Sequence, residues 1–216
     1  MTRNYNRRYA NEYRFPARLF FRFFLATVVD SILKYCYKYT IKGKENIPRD
    51  GKRYLYAANH VSQFDPPIVA FAVRKTIAFM AKAELFDPKD KLLSWLVIHL
   101  GAFAVNRSKP EISTFKTLKE LSNTKWDLGV FPQGGTFPYG TSLSQVKKGF
   151  ATIAKKAELD IIPMAISNFS NYPKGLKFKQ QTFDVHIGKP ISHELSEDEI
   201  IKQWCEFILA HADYKE

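Results

Sequence analysis

The sequence predicts an α/β fold, a mostly parallel mixed sheet flanked by helices, preceded by an N-terminal helical segment. From about Lys44 onward, short apolar runs alternate with amphipathic stretches of helical periodicity, a pattern typical of parallel sheets with crossover helices. Before that point the chain is strongly basic and rich in aromatic residues. We therefore place one boundary near residue 44 and predict two parts, residues 1–44 and residues 45–216.

Each element follows from a local pattern. Short apolar runs predict six strands, at 53–58, 76–80, 102–106, 127–131, 161–166 and 182–187. Helical periodicity predicts helices near 66–74, 91–100, 110–123, 147–158 and 196–211. The last helix has Ser196 as a candidate N-cap, followed by three acidic residues, which favour a helix N-terminus.

Composition excludes several classes of protein. The 216 residues are 45% hydrophobic and 25% charged, which is ordinary for a globular chain and argues against intrinsic disorder or a collagen-like repeat. The two cysteines, Cys36 and Cys205, indicate a reducing compartment rather than a disulfide scaffold. Without a Cys-x-x-Cys pair, a zinc finger is excluded.

The N-terminal segment carries most of the excess charge. The net charge is +12, and residues 1–44 hold ten Lys or Arg against two acids, together with 11 of the 32 aromatic residues. Arg14, Arg18 and Arg22 recur every four residues and so share one helical face, with Phe20, Phe23, Phe24 and Val28 largely elsewhere. This pattern predicts a basic amphipathic helix at an anionic membrane surface.

Other interpretations of the segment stay open at this point. The apolar stretch 19–33 is interrupted by charges and too short for a membrane span of about 20 residues. A helix packed on the protein core, a signal peptide or a nucleic-acid-binding arm would each account for part of the pattern.

The most informative local motif runs from Asn59 to Pro67, between a predicted strand and a predicted helix. Pro66 suits the first helical turn and Asp65 suits its N-cap. On a continuous helix His60 and Asp65 would lie about 140° apart, whereas a strand-to-helix turn lets the carboxylate fold back onto the imidazole. Such a pair makes a good general base; the alternative is a surface His beside a capping Asp.

Three further blocks have weaker meaning when taken singly. A glycine-led strand, residues 101–107, ends in Arg107, which could meet a phosphate. The Gly134-Gly135 pair follows another strand and could offer backbone N–H groups to an anion or oxyanion. Lys147 and Lys148 lie at the start of a predicted helix, and helix N-termini attract anions. There is no Gly-x-Ser-x-Gly elbow and no Walker loop.

Taken together and in this order, the blocks resemble the glycerolipid acyltransferase family that contains 1-acylglycerol-3-phosphate acyltransferases. Asn59, His60 and Asp65 match the family's Asn-His-x-x-x-x-Asp block, and Gly101 to Arg107 match its glycine-led strand. The family's Phe-Pro-Glu-Gly-Thr-Arg block is matched only in part, since Gln133 stands in place of Glu and Thr136 in place of Arg. The Lys-Lys-Gly helix start and the proline of an apolar strand are matched by residues 147–149 and Pro163.

The resemblance implies a glycerolphosphate acyltransferase-like fold over 45–216 and assigns roles to single residues. His60 and Asp65 would be catalytic, and no metal or cofactor would be needed. The expected substrate-binding residues are Asn59, Arg107, Gln133, Gly134, Gly135, Thr136, Lys147 and Lys148. Because Gln133 is uncharged and Thr136 cannot form a bidentate pair with phosphate, a different lysolipid acceptor stays open.

The implied reaction transfers a fatty acyl group from acyl carrier protein or acyl-coenzyme A to the hydroxyl of a lysophospholipid. We expect a peripheral membrane protein on the cytoplasmic face, with an anionic membrane surface as partner and without nucleic acid. Rival functions are a lipid-surface binding protein without catalysis, a lipid hydrolase using His60 and Asp65, and a nucleic-acid binder driven by the charge.

Overall fold

The computed structural model describes residues 7–86, 91–105, 112–143, 146–169 and 181–215. Its strands are β1 (Tyr37–Lys42), β2 (Leu55–Ala58), β3 (Ile77–Lys82), β4 (Phe103–Val105), β5 (Asp127–Val130), β6 (Ile161–Ser167) and β7 (Gln181–Ile187). They form one sheet in the order β1-β7-β6-β2-β5-β3-β4. Neighbouring strands are parallel except β6 and β7, so the predicted mostly parallel mixed sheet is confirmed.

The helices are α1 (Phe15–Phe24), α2 (Asp30–Cys36), α3 (Asp65–Val73), α4 (Lys91–His99), α5 (Ile112–Ser122), α6 (Gly149–Ala157) and α7 (Glu197–His211). Helices α5, α6 and α7 lie side by side, and the N-terminal helices pack against α3 and α4. Ser196 caps α7 by accepting a hydrogen bond from the Glu199 N–H at 3.2 Å, as predicted.

All six predicted strands are present, within a few residues of their predicted bounds. Every residue of β2 is buried, which explains why it reads as an unbroken apolar run in the sequence. The predicted strand over 102–106 and the predicted helix over 110–123 extend into residues outside the described part.

The sheet has one strand that was not predicted. Tyr37–Lys42, within the segment predicted to attach to the membrane, forms β1 and pairs in parallel with β7. Its exposure alternates along the edge of the sheet. The helical part of the N-terminal segment therefore ends at Cys36 rather than near residue 44.

Residues 15–36 form one continuous helical stretch, in which a π-helical turn over Leu25–Val29 joins α1 to α2. Phe21, Leu25, Val29 and Leu33 are buried against the core. Residues four apart drift by about 40° around a regular α-helix. The wider π turn offsets this drift and keeps the buried row facing the core.

The opposite side of this stretch is exposed and apolar. We call it the apolar stripe, and it consists of Phe15, Leu19, Phe23, Val28, Ile32 and Tyr35, which are 37–70% exposed. The segment thus packs on the core with one face, as one interpretation of the sequence expected, and leaves another face uncovered. No helix among the described residues combines the length and apolar character needed to cross a membrane.

Three contacts fix the N-terminal stretch in place. The buried Arg8 guanidinium donates hydrogen bonds to the carbonyls of Ile98 and Ala102, at 2.8 and 2.7 Å. The indole of Trp126, ahead of β5, donates to the Tyr13 carbonyl at 2.9 Å. Asp30 on α2 pairs with Arg74 at the end of α3.

Candidate active site

The carboxyl end of β2 carries the candidate site. β2 lies between β5 and β6, and all three run parallel. Because parallel strands present their carboxyl ends at one edge of the sheet, the segment after β2 meets the segment after β5. The motif beginning at Asn59 and the block beginning at Phe131, far apart in sequence, are therefore neighbours.

His60 and Asp65 form a hydrogen-bonded pair. His60 Nδ1 lies 2.7 Å from Asp65 Oδ2, and the same oxygen accepts the N–H groups of Val61 and Ser62 at 2.6 and 2.8 Å. Since an ionised carboxylate only accepts hydrogen bonds, the proton of a neutral His60 ring belongs on Nδ1. Nε2 then carries the free lone pair, and it makes no hydrogen bond within the described part of the chain.

Burial shapes the electrostatics of this pair. Asp65 is fully buried, and this burial raises the pKa of its carboxyl, against the lowering effect of its hydrogen bond with His60. The His60 side chain is 12% exposed, and its ring stacks on Phe131 with the centroids 4.2 Å apart. The imidazole is thus held on one side by Asp65 and on one face by Phe131, with little freedom to rotate.

The predicted role of Asp65 as a helix cap is wrong. Phe64 is the N-cap residue of α3 and provides no side-chain cap, while Asp65 is the first helical residue. Its carboxylate turns back onto the preceding turn instead of onto the helix N-terminus. The same short loop therefore fixes both the carboxylate and the imidazole that it holds.

The side chains of Asn59 and Gln133 hold the His60 turn in place through buried hydrogen bonds. Asn59 is completely buried, and its side-chain amide exchanges two hydrogen bonds with the Ile166 backbone of β6, at 2.9 and 2.7 Å. Gln133 is 2% exposed, and its Oε1 accepts the His60 N–H at 2.7 Å. The expectation that these two side chains bind substrate does not fit this geometry, because their polar atoms are turned into the protein.

The remaining expected site residues lie in different places. Gly134 has a positive φ of 70°, and its N–H donates to the Phe131 carbonyl, so this N–H is not available as an oxyanion donor. Gly135 is half-buried and Thr136 is exposed. The Phe137 N–H donates to the His60 carbonyl at 2.7 Å, which closes this loop over the His60 turn.

The two lysines expected to bind substrate, Lys147 and Lys148, have different surroundings. Lys147 joins the site region, since its N–H donates to the Pro132 carbonyl at 2.8 Å and its side chain passes beside Gly134. Lys148 turns away and forms an exposed ion pair with Asp198 of α7 at 3.0 Å. Arg107 lies outside the described residues. The glycine that leads its strand, Gly101, has a φ of 78° and lies where a Cβ would come within 2.3 Å of the Trp126 ring.

Sequence reasoning missed Tyr214. Its hydroxyl donates to the Phe137 carbonyl at 3.1 Å and lies 3.4 Å from the Asn59 amide nitrogen. The Gln133 amide nitrogen makes no hydrogen bond of good geometry among the described residues, although Gln133 is near enough to Tyr214 to oppose the rise in its pKa caused by burial. Nothing in the local sequence around Tyr214 indicates that it belongs to a site about 150 residues earlier.

The described residues contain no group of three or more His, Cys, Asp or Glu side chains that could hold a metal ion. They also show no Ser or Cys side chain hydrogen-bonded to His60. The site offers an oriented base without a protein nucleophile beside it. This arrangement suits reactions in which the substrate supplies its own nucleophile.

A family model described as Acyltransferase matches residues 38–167, from β1 to the end of β6. The chain belongs to this family. Its fold also resembles the crystal structure of the 1-acyl-sn-glycerophosphate (LPA) acyltransferase PlsC from Thermotoga maritima. That comparison has a TM-score of 0.68 and 26% identity, and covers 88% of this chain and 76% of the other.

Several curated relatives of the chain are named 1-acyl-sn-glycerol-3-phosphate acyltransferase. The 1-acyl-sn-glycerol-3-phosphate acyltransferase of Streptococcus pneumoniae is 32% identical over 149 residues, which are 68% of this chain and 53% of that protein. The Bacillus subtilis protein of that name is 28% identical over 152 residues, 70% of this chain and 72% of that protein. The chain spans about half the length of several of these relatives.

Proposed function

We propose that the protein transfers a fatty acyl group from a thioester to the free hydroxyl of 1-acyl-glycerol-3-phosphate, giving phosphatidic acid. The observation that carries this proposal is the His60–Asp65 pair, which leaves Nε2 as a base with no protein nucleophile next to it. Membership of the acyltransferase family and the names of its relatives supply the reaction class and the acceptor.

The reaction proceeds in two proton-coupled steps. His60 Nε2 takes the proton from the acceptor hydroxyl while the hydroxyl oxygen attacks the thioester carbonyl, and Asp65 stabilises the imidazolium that forms. The tetrahedral intermediate then collapses, breaking the C–S bond, and the departing thiolate receives the proton from His60. General-base assistance of this kind contributes roughly 10²–10⁴-fold to the rate.

The acceptor phosphate needs a cation near the catalytic turn. Lys147 is the described candidate, because it lies beside Gly134 in the loop that covers His60. Arg107 is the candidate that the sequence motif supplies. Lys148, whose ammonium group pairs with Asp198, is a weaker candidate. The donor is acyl carrier protein or acyl-coenzyme A, and the basic surface of the chain suits either anionic partner.

We also propose that the protein attaches to the cytoplasmic face of a membrane through the apolar stripe. Its six exposed apolar side chains lie along one helical stretch, and α4 beside it adds Leu92 and Trp95, which are 77% and 47% exposed. Uncovered apolar area of this kind marks interaction surfaces. Both the acceptor and the product are lipids, so attachment keeps the catalytic turn near its substrates.

The test is a thioester-release assay in detergent, with and without lysophosphatidic acid. We expect acceptor-dependent release from the wild type and its loss in His60→Ala. The matched control is His186→Ala, which removes a half-buried imidazole from β7 of the same sheet and should keep the activity. Full activity in a well-folded His60→Ala protein would refute the mechanism. Thioester release with another lysolipid but not with lysophosphatidic acid would change the assigned acceptor. Formation of free fatty acid in the absence of an acceptor would indicate a hydrolase.

A further inference from the structure

A cavity opens at the edge of the sheet opposite His60. This cleft has a volume of about 700 Å³ and is lined by residues that precede the central strands, including Arg53 and Tyr54 before β2, Lys75 before β3 and Lys125 before β5. His60 follows β2, and β2 alone spans about 13 Å at about 3.3 Å per residue. The cleft is therefore separate from the candidate active site.

The cleft is strongly basic. Six of its cationic side chains make no ion pair with any described residue: Arg18, Arg22, Lys52, Arg53, Lys75 and Lys125. A seventh, Arg74, is paired with Asp30. Three acids also line the cleft, Asp127, Glu158 and Asp160, and the last of these is held by His193 at 2.7 Å. Positive charge therefore exceeds negative charge in a concave space, which attracts anions.

Two of the guanidinium groups have unused hydrogen-bonding capacity. The Nε of Arg18 is buried and has no acceptor among the described residues. Arg53 is half-buried, and the hydrogen bond of its Nη1 to the Leu121 carbonyl is long, at 3.3 Å. A buried donor without an acceptor is costly. The oxygens of a phosphate match the planar fork of a guanidinium and would supply the missing acceptors.

The position of the cleft indicates where the phosphate comes from. Arg18 and Arg22 form one of its walls and lie on α1, which also carries Phe15, Leu19 and Phe23 of the apolar stripe. At about 100° per residue, the two arginines lie about 100° and 60° to one side of Leu19. When the stripe rests in a bilayer, this wall lies beside it, near the level of the lipid phosphates.

We propose that the cleft is a second phosphate site, which binds the headgroup of an anionic glycerophospholipid at the membrane surface. The inference rests on the membrane attachment proposed above but not on the chemistry at His60. An acidic protein partner that delivers a thioester suits the cleft less well, because its acyl group would arrive at the wrong edge of the sheet. A bound headgroup would hold α1 against the starts of β2 and β5.

The experiment measures binding of dihexanoyl phosphatidylglycerol, at concentrations where it is monomeric, to the full chain by calorimetric titration and thermal shift. This probe is neither the proposed acceptor nor the product, and it needs no bilayer. We expect binding by the wild type, and no binding of the neutral dihexanoyl phosphatidylcholine. Arg18→Gln on α1 and Lys125→Gln before β5 should each weaken binding about tenfold, which is the loss of one charge-assisted hydrogen bond.

Arg14→Gln is the matched control. Arg14 is an exposed arginine immediately before α1, outside the cleft lining, and its loss changes the net charge equally. Equal weakening by Arg14→Gln and Arg18→Gln would overturn the proposal, since it would indicate only diffuse electrostatic attraction. Lys125 is exposed, so its variant should fold even if Arg18→Gln does not, and it keeps the proposal testable.

Other outcomes separate the sources of the ligand. Inorganic phosphate binding as tightly as the lipid would overturn the headgroup assignment, as would displacement of the probe by purified acyl carrier protein. Flotation on vesicles of phosphatidylcholine with 10% phosphatidylglycerol (about one lipid in ten) tests the attachment itself. If flotation persists without probe binding, the cleft assignment alone fails; if probe binding persists without flotation, the cleft binds the headgroup, but the attachment fails and with it the placement of the cleft at the membrane surface.

Discussion

Asp65 determines which ring nitrogen of His60 acts as the base. An asparagine with its amide oxygen in the place of Oδ2 keeps the hydrogen bond from Nδ1–H but carries no negative charge to stabilise the imidazolium that forms during proton abstraction. We expect Asp65→Asn to lower the acyl-transfer rate by roughly 10²–10⁴-fold. The fold should survive, because burial already disfavours the charged carboxylate and the amide oxygen can still accept the N–H groups of Val61 and Ser62.

The measurement is kcat in detergent, with the melting temperature as a check on folding. Ser62→Ala serves as the control in the same turn, because it removes only the hydroxyl that accepts the Phe64 N–H at 3.2 Å. Its rate should stay within a few fold of the wild type. A folded Asp65→Asn protein with wild-type kcat would contradict the assigned role of the pair.

At the scale of single residues, the sequence predicts those contacts that lie within one turn. The spacing of His60 and Asp65 across the strand-to-helix junction allows their pairing, and the resemblance to the acyltransferase family favours it over a surface His beside a capping Asp. The roles of Asn59 and Gln133 could not be predicted, because they depend on which strands flank β2. Asn59 meets Ile166, 107 positions later, and Gln133 meets His60 across 73 positions. Local pattern carries no information about such distant partners.

At the scale of elements, the N-terminal stretch has two functions that a deletion would confuse. Removing residues 1–34 would take away five of the six residues of the apolar stripe, but also Tyr13, Phe21, Leu25, Val29 and Leu33, which are buried in the core. Such a protein would lose stability as well as membrane attachment. Single substitutions on the exposed face are therefore the cleaner test of attachment.

Phe23→Ser is the most direct of these substitutions. Phe23 is 65% exposed, so the change should leave the melting temperature nearly unaltered while removing a large apolar side chain from the stripe. We expect binding to anionic vesicles to weaken about tenfold. Ile112→Ser is the control, since Ile112 is 75% exposed at the start of α5 and is not part of the stripe. Equal losses in both variants, or none in Phe23→Ser, would refute the role of the stripe.

The elements that could be predicted are those with a strong local signal. Buried parallel strands such as β2 appear in the sequence as continuous apolar runs. The start of α7 is marked by its N-cap residue, Ser196. The edge strand β1 alternates three polar or charged residues with its apolar ones, so its sequence resembles a charged connection between elements. The π turn over Leu25–Val29 follows from tertiary packing of a row spaced by four residues, not from the propensity of those residues.

At the scale of the whole molecule, the sheet places the candidate active site and the basic cleft at opposite edges. The carboxyl ends of β2 and β5 carry the His60 pair and the loop that covers it, while their amino ends carry the basic cleft. No local pattern predicts this order, because it depends on where each crossover returns to the sheet. The basic side chains of the cleft are therefore scattered in the sequence, from Arg18 to Lys125, and form a group only in the fold.

Asp127, at the amino edge, links the stability of the whole fold to pH. It is 5% exposed, and its Oδ1 accepts the Tyr54 N–H at 2.9 Å, joining the starts of β5 and β2. Burial raises the pKa of its carboxyl to about 6. Because the folded state binds this proton more tightly than the unfolded state does, the contribution to stability is fully present below the ordinary pKa of 3.8 and is lost as the pH rises through about 6.

We therefore expect Asp127→Asn to become more stable relative to the wild type as the pH rises from 4.5 to 7.5, by roughly 2 kcal/mol. The amide oxygen can still accept the Tyr54 N–H, so the variant isolates the charge. The measurement is urea unfolding of both proteins across that range. Asp50→Asn is the control: the Tyr54 hydroxyl lowers the pKa of Asp50 below its ordinary 3.8, so the stability from its ionised form is lost only at lower pH, and the difference between this variant and the wild type should stay constant from pH 4.5 to 7.5. A pH-independent difference between Asp127→Asn and the wild type would mean that this carboxyl is not held protonated by the fold.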